Sequence, residues 1–316
     1  MDAPKPTDLL GEIYARWIVE MTRYPDMSID LSRIIFDDWQ RATAEPEHVT
    51  YANTSIGGVP GIVATPADHD ENKILVLMHG GGFALGSAIS HRKLAGHIAT
   101  ACRAPAFVVD FGLAPEHPYP EARDEGLAVY RALLDAGHAA SDITLVGDSA
   151  GANLAISMTL RLIADGADLP GAVITMSPWL NMENDGATLE SNDATDFLIA
   201  REGLQANIDR YLTGGASPTD PYVNPLYADL TGFPPLYICA GAVESLLDDA
   251  VRLNALAQQG GVDVTLSVAD NMQHVYPFLA GHHPQADAEI AAIGAWHRAK
   301  SSPTPLPDPM SRKDAP

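Results

Sequence analysis

The stretch Ile143–Ala164, "ITLVGDSAGANLAISMTLRLIA", decides how the rest of the chain is read. It opens with a short apolar run of strand length, turns at Gly147-Asp148-Ser149-Ala150-Gly151, and continues as an apolar segment long enough for a helix. Glycines two before and two after a serine let the backbone reverse tightly and let helix and strand approach closely. A serine so placed projects its hydroxyl from the C-terminal end of a strand, with a helix N-terminus behind it that favours developing negative charge. The spacing therefore predicts an activated nucleophile at Ser149.

Outward from this turn, strands and helices alternate. Strands are expected at Ile74–Met78, Phe107–Phe111, Ile143–Val146, Ala172–Met176 and Leu236–Ala240, with helices near His91–Arg103, Glu121–Ala136, Ala150–Ala164 and Leu246–Gln259. Short apolar strands without alternation are what a parallel sheet covered on both faces requires, so the fold class is α/β with a mostly parallel central sheet. Val262–Val268 alternates strictly between apolar and polar and is expected near a sheet edge. Two amphipathic helices are expected within residues 8–43, and Glu183–Leu212 interrupts the strand–helix rhythm like an insertion. These define a helical cap of residues 1–45 and 183–212, a catalytic domain of 46–182 and 213–300, and a Pro-rich tail over 301–316.

Composition limits the partners. The chain has 316 residues and a formal charge of −22, which argues against a nucleic-acid partner because a polyanion would be repelled. Its longest uncharged apolar runs are strand-length, so no membrane span is expected, and the N-terminal region does not read as a signal peptide. Two cysteines, Cys102 and Cys239, outside any C-x-x-C pair, fit reduced packed thiols in a cytoplasmic protein.

A second glycine cluster, "HGGGF" at His79–Phe83, follows the strand at Ile74–Met78. Three consecutive glycines cost folding entropy, which implies backbone presented to a ligand. No Lys-Ser/Thr follows, so a phosphate-binding loop is not indicated, and beside the serine turn these N–H groups suit an oxyanion hole. Of eleven histidines, His91, His97 and His138 are expected on helix surfaces, and His282 and His283 precede a helix start at Pro284. No H-E-x-x-H occurs, so neither a metal nor any other cofactor is expected. His274, in "NMQHVYPF", lies after the expected edge strand and is the candidate base. The acid is sought in "CAGAVESLLDDA", Cys239–Ala250. There Ser245 and Asp248 match a capping box with Leu246 as the first helical residue, which accounts for Asp248 and Asp249 as first-turn carboxylates. Glu244 is left as the acid, with Asp248 as the alternative. The order serine, acid, histidine fits an α/β hydrolase.

With those residues in place, the chain resembles the bacterial hormone-sensitive-lipase-like carboxylesterases of the GDSAG branch, from Lys73 to Phe278. The resemblance rests on "HGGGFALGS", "LAPEHPYPEA", "GDSAGANLA", "SPW" (Ser177–Trp179), "NPLYADLTGFPPLYI" and "MQHVYPF". It implies Ser149 as nucleophile, His274 as base, and Gly81, Gly82 and the Ala150 N–H as the oxyanion hole. Glu244 stands where many relatives have aspartate, and Phe111-Gly112 stand where they have Tyr-Arg. The resemblance also implies short- to medium-chain ester substrates, a substrate pocket lined by the cap residues Trp17, Trp39, Phe197 and Tyr211 together with Phe83 of the catalytic domain, and a homodimer formed through the edge strand. An amidase or lactonase with the same triad is the alternative; the retained His274 argues against a non-catalytic receptor.

Overall fold

The computed structural model describes residues 8–24 and 26–300; the tail expected over 301–316 and the start of the expected cap lie outside the described residues. Two helices come first, α1 (Leu9–Arg23) and α2 (Ile29–Phe36), capped by the side chains of Asp8 and Ser28, and a 3-10 turn over Asp37–Ala42 follows. Then come β1 (Val49–Ile56), β2 (Val59–Pro66), β3 (Ile74–Met78), α3 (Ala88–Cys102), β4 (Ala106–Val109), α4 (Glu121–Asp135), β5 (Ile143–Asp148), α5 (Ala150–Ala164) and β6 (Ala172–Met176). The chain continues through α6 (Thr188–Ser191), α7 (Arg201–Tyr211), β7 (Leu236–Gly241), α8 (Leu247–Gln259), β8 (Val264–Ala269) and α9 (Pro284–Lys300).

The strands form one eight-stranded sheet in the order β1-β2-β4-β3-β5-β6-β7-β8. Pairings from β4 to β8 are parallel, whereas β2 runs antiparallel to both β1 and β4. The apolar strands do not alternate because both faces are covered. Val76 and Met78 of β3 join a core with α4, α5 and α8, while Leu75 and Leu77 join a second core with α3, α9 and α1. Truncating one such side chain, as in Leu77→Ala, would cost about 2–5 kcal/mol.

The hairpin β1–β2 was not expected, since no strand was read before Ile74. β1 is mostly solvent-facing and polar, so it carries little apolar signal. What marks it is Gly57-Gly58, a two-residue connection with φ of 62° and 84° that pairs Ile56 with Val59. The edge expected at Val262–Val268 exists as β8, shifted to Val264–Ala269; Val262 is buried before the strand starts, and Val268 is exposed.

The turn at Gly147–Gly151 shows why its second glycine is required. A Cβ on Gly151 would lie 2.6 Å from the Met78 carbonyl carbon, where α5 crosses the end of β3. Both sides are backbone, so neither can yield. Gly151→Ala is expected to cost about 3 kcal/mol or more, at or above the usual range for overpacking. Urea unfolding checks this; a loss below about 1 kcal/mol would show that the crossing can relax.

Candidate active site

Ser149 sits between β5 and α5 with φ 52° and ψ −120°, a conformation that a residue carrying a Cβ adopts only under constraint. The constraint is visible: Ser149 N–H donates to the Met176 carbonyl (2.9 Å), and its carbonyl accepts from Trp179 N–H (3.1 Å) and Ala152 N–H (3.1 Å). Its hydroxyl emerges at the C-terminal edge of the sheet, beside the strand β3 from which the chain crosses to either side.

The structure brings Ser149, His274 and Glu244 together. His274 Nε2 lies 3.0 Å from Ser149 Oγ, and its Nδ1 lies 3.6 Å from Glu244 Oε2, an ion-pair separation longer than a hydrogen bond. All three side chains are buried. Glu244 Oε2 also accepts from Ser177 Oγ (2.6 Å) and Gly241 N–H (3.2 Å), which fixes the longer side chain within its turn. Burial acts most strongly on the His274 imidazole and opposes its protonation. The adjacent Glu244 carboxylate, helped by the charges of Asp196 and Asp148, outweighs it, so the pKa is raised above the ordinary 6.5.

The other two acids of "ESLLDDA" have separate roles, and the expected capping box is not formed. Helix α8 begins at Leu247, its N-cap residue Leu246 makes no side-chain cap, and Ser245 Oγ has no partner. Ser245 N–H instead donates to Asp196 Oδ2 (2.6 Å), because Asp196 from the inserted segment reaches that donor first. Asp248 and Asp249 do occupy the first turn. Asp248 lies 3.6 Å from Arg252. Asp249 is buried and accepts the N–H groups of Leu180 (2.7 Å) and Asn181 (2.9 Å). Burial pushes its carboxyl up to about 6 against the pull of those two donors.

Two groups that hold the site were not read from the sequence. Ser177 links the Glu244 and His274 segments, because the same hydroxyl that donates to Glu244 (2.6 Å) accepts Val275 N–H (2.9 Å) next to His274. Tyr14 of α1 donates to the His274 carbonyl (2.8 Å) from 260 positions away. No local signal marks such a partner; Tyr14 reads only as part of an apolar helix face.

The loop "HGGGF" lies against the serine turn at Asp148 and Gly151. Gly81 and Gly82 have φ of 115° and 64°, and neither N–H, nor that of Ala150, donates to another described backbone or side-chain group. Behind the loop, Gly80 N–H donates to Asp148 Oδ1 (3.0 Å), and Asp148 lies 3.3 Å from His91 Nε2. His91 is thus wholly buried rather than on a helix surface, since α3 turns that face onto the sheet edge. His97 is half-buried, with Nε2 3.0 Å from the Ala44 carbonyl, and His138 lies in the turn after α4 rather than on a helix. His79 is buried and stacks on Phe111 at 4.1 Å; burial, then His91, lowers its pKa to about 4. Phe111 therefore supplies an aromatic face to His79, and Gly112 N–H donates to Glu125 Oε2 (2.6 Å).

A cavity of about 530 Å³ opens over Ser149 and His274, lined by α1, α2, Gly81, Gly82, Trp179 and α7. Trp17 and Trp39 line it. Phe83, Tyr211 and Phe197 do not. Phe83 and Tyr211 are buried and stack face to face at 3.8 Å, because the φ of 63° at Phe83 turns its ring away from the serine into the core. Phe197 packs on the second core, its N–H held by Gln273 Oε1 (3.0 Å). Cys102 and Cys239 are free and buried. Among the described residues no helix is long and apolar enough to cross a membrane, and no cluster of metal-ligating side chains occurs.

A mostly parallel sheet with a serine on the strand–helix turn and a histidine beyond the last strand is the arrangement of an α/β hydrolase. A family profile described as the α/β-hydrolase fold matches residues 75–278. An esterase of Acinetobacter venetianus is 39% identical over 230 residues, 73% of this chain and 76% of the relative. An acetyl-hydrolase of Streptomyces hygroscopicus is 35% identical over 80% of this chain and 89% of its own. The crystal structure of an esterase from the bacterial hormone-sensitive lipase family superposes with a TM-score of 0.88 at 33% identity, covering 94% of this chain and 100% of that one. The chain belongs to this family, the bacterial hormone-sensitive-lipase-like esterases of the α/β-hydrolase fold.

Proposed function

We propose that this esterase hydrolyses short- to medium-chain acyl esters in two acyl-transfer steps, with Ser149 as nucleophile, His274 as general base and Glu244 as the acid behind it. The 3.0 Å contact between His274 Nε2 and Ser149 Oγ at the base of the cavity carries the reading. His274 takes the hydroxyl proton as Oγ attacks the ester carbonyl, and Glu244 steadies the imidazolium that forms. The free N–H groups of Gly81, Gly82 and Ala150 receive the oxyanion, each worth about 3–4 kcal/mol in other hydrolases. The alcohol leaves with the proton from His274, and water repeats the sequence on the acyl-enzyme. No step calls on a metal or cofactor.

In this reading α1, α2 and the segment 183–212 form a cap over the cavity. Its 530 Å³ suits a short acyl chain with its alcohol rather than a long triglyceride. The buried thiols fit a cytoplasmic setting, and the open edge of β8 fits a homodimer.

A p-nitrophenyl ester series from acetate to palmitate tests the substrate class. Turnover is expected to peak at butyrate to octanoate, and a preference for palmitate would sink the chain-length reading. Inactivation by a phosphonate ester should leave a single covalent adduct on the peptide bearing Ser149. An adduct elsewhere, or a larger rate on matched anilides, would redirect the assignment.

A further inference from the structure

The cavity over Ser149 carries polar groups that the triad does not use. Helix α7 turns Glu202, Asn207 and Arg210 onto it, opposite the apolar wall of Trp17, Met21 and Trp39. Asn207 lies directly against the glycine loop: a Cβ on Gly82 would come within 2.9 Å of Asn207 Cγ, and Asn207 Nδ2 is the atom nearest that point. Arg210 Nη1 donates to Asn207 Oδ1 (2.8 Å). With its oxygen held by the guanidinium, the amide presents Nδ2 toward the glycine loop, where its N–H groups have no partner among the described residues.

Arg210 itself makes no ion pair within 4 Å among the described residues, and Glu202 on the same helix does not reach it. The chain has 41 acidic residues against 19 basic ones, and Arg33, Arg92 and Arg252 all hold carboxylates, whereas Arg210, like Arg23 and Arg201, holds none among the described residues. Arg210 lies in the last turn of α7, where a cation complements the helix dipole. That role needs neither a guanidinium on the cavity wall nor an amide locked beside the oxyanion glycines.

We propose that Arg210 and Asn207 are specificity-determining residues that bind a carboxylate on the substrate, and that the preferred esters are monoesters of short dicarboxylic acids. The inference rests on the ester-hydrolysis reading above and names its substrate class. A guanidinium donates two parallel N–H···O bonds to a planar carboxylate, and Asn207 Nδ2 adds a donor beside the position of the reacting carbonyl. The net charge of −22 repels an anion at long range, but salt screens that repulsion beyond about 8 Å at physiological ionic strength, so local contacts decide binding.

The test compares kcat/KM for monoethyl glutarate and for ethyl pentanoate, followed by pH-stat at fixed ionic strength. The glutarate-to-pentanoate ratio is read in wild type, Arg210→Met, Arg210→Lys and Asn207→Asp. The ratio is expected to fall about tenfold or more in Arg210→Met, as loss of a charge-assisted hydrogen bond implies. Arg210→Lys should keep part of it. Asn207→Asp should lose it, because the new carboxylate occupies Arg210. Because each ratio is internal to one variant, a smaller folded fraction does not move it. A ratio unchanged within about twofold in both Arg210→Met and Asn207→Asp overturns the inference and leaves the triad reading standing. A wild type inert on both esters overturns both.

Discussion

Ser149→Ala is expected to lower kcat/KM on p-nitrophenyl butyrate by about five to six orders of magnitude, some 7–8 kcal/mol of transition-state stabilisation. The reason is geometric. Ser149 is the hydroxyl within 3.0 Å of His274 Nε2, and the backbone around it is clamped by Met176, Ala152 and Trp179. The small methyl replaces the hydroxyl without disturbing that clamp, so circular dichroism and thermal melting should be those of the wild type. His274→Ala should cost a similar factor, and the double variant should lose little more, because a nucleophile without its base is nearly as inert as no nucleophile. Additive losses in the double variant would show that the two side chains do not act as one unit. A folded Ser149→Ala retaining a tenth of the activity would remove the serine from the mechanism.

The second large effect concerns the acid. Glu244→Gln is expected to lower kcat by about 10⁴-fold, as the equivalent amide does in another serine triad, while Asp248→Asn stays within a few-fold of wild type. Asp248 is half-exposed beside Arg252, whereas Glu244 is wholly buried with Oε2 3.6 Å from His274 Nδ1. The pH profile gives a separate readout. With His274 as the proposed base, catalysis needs it neutral, so kcat/KM is expected to fall as pH drops through its pKa, which in the wild type is raised above 6.5. Burial lowers that pKa and Glu244 is the main group raising it. Removing the carboxylate charge therefore moves the acid limb of the variant to lower pH, on a much lower plateau. If the limb stays in place, or if Asp248→Asn is the inert variant, the acid must be reassigned.

How far the sequence reaches depends on the distance between interacting residues. The elbow at Gly147–Gly151, the glycine loop and the parallel strands are legible because each depends on neighbours within a few positions: a turn needing glycine, a five-residue run buried on both sides. Boundaries shifted by a residue or two, as at β4 and β8. The hairpin β1–β2 was hidden because a solvent-facing strand has no apolar run to show. Cavity lining was legible only in part. Trp17 and Trp39 face the cavity, but whether Phe83 and Tyr211 did so depended on a positive φ and a stacking partner that no periodicity encodes.

By itself, then, the sequence determined the α/β layering, the strained serine turn and the order in which serine, acid and histidine occur, all through local pattern and backbone sterics. Only the tertiary structure decided what each acid does. It set Glu244 against Ser177 and His274, gave Asp249 to two backbone N–H groups and Asp248 to Arg252, and buried His91 against Asp148. It also tied Tyr14 to the histidine carbonyl and left Arg210 on the cavity wall. Those outcomes join residues up to 260 positions apart, and a carboxylate's role follows from which donors and charges folding brings within about 4 Å, not from the residues beside it in the chain.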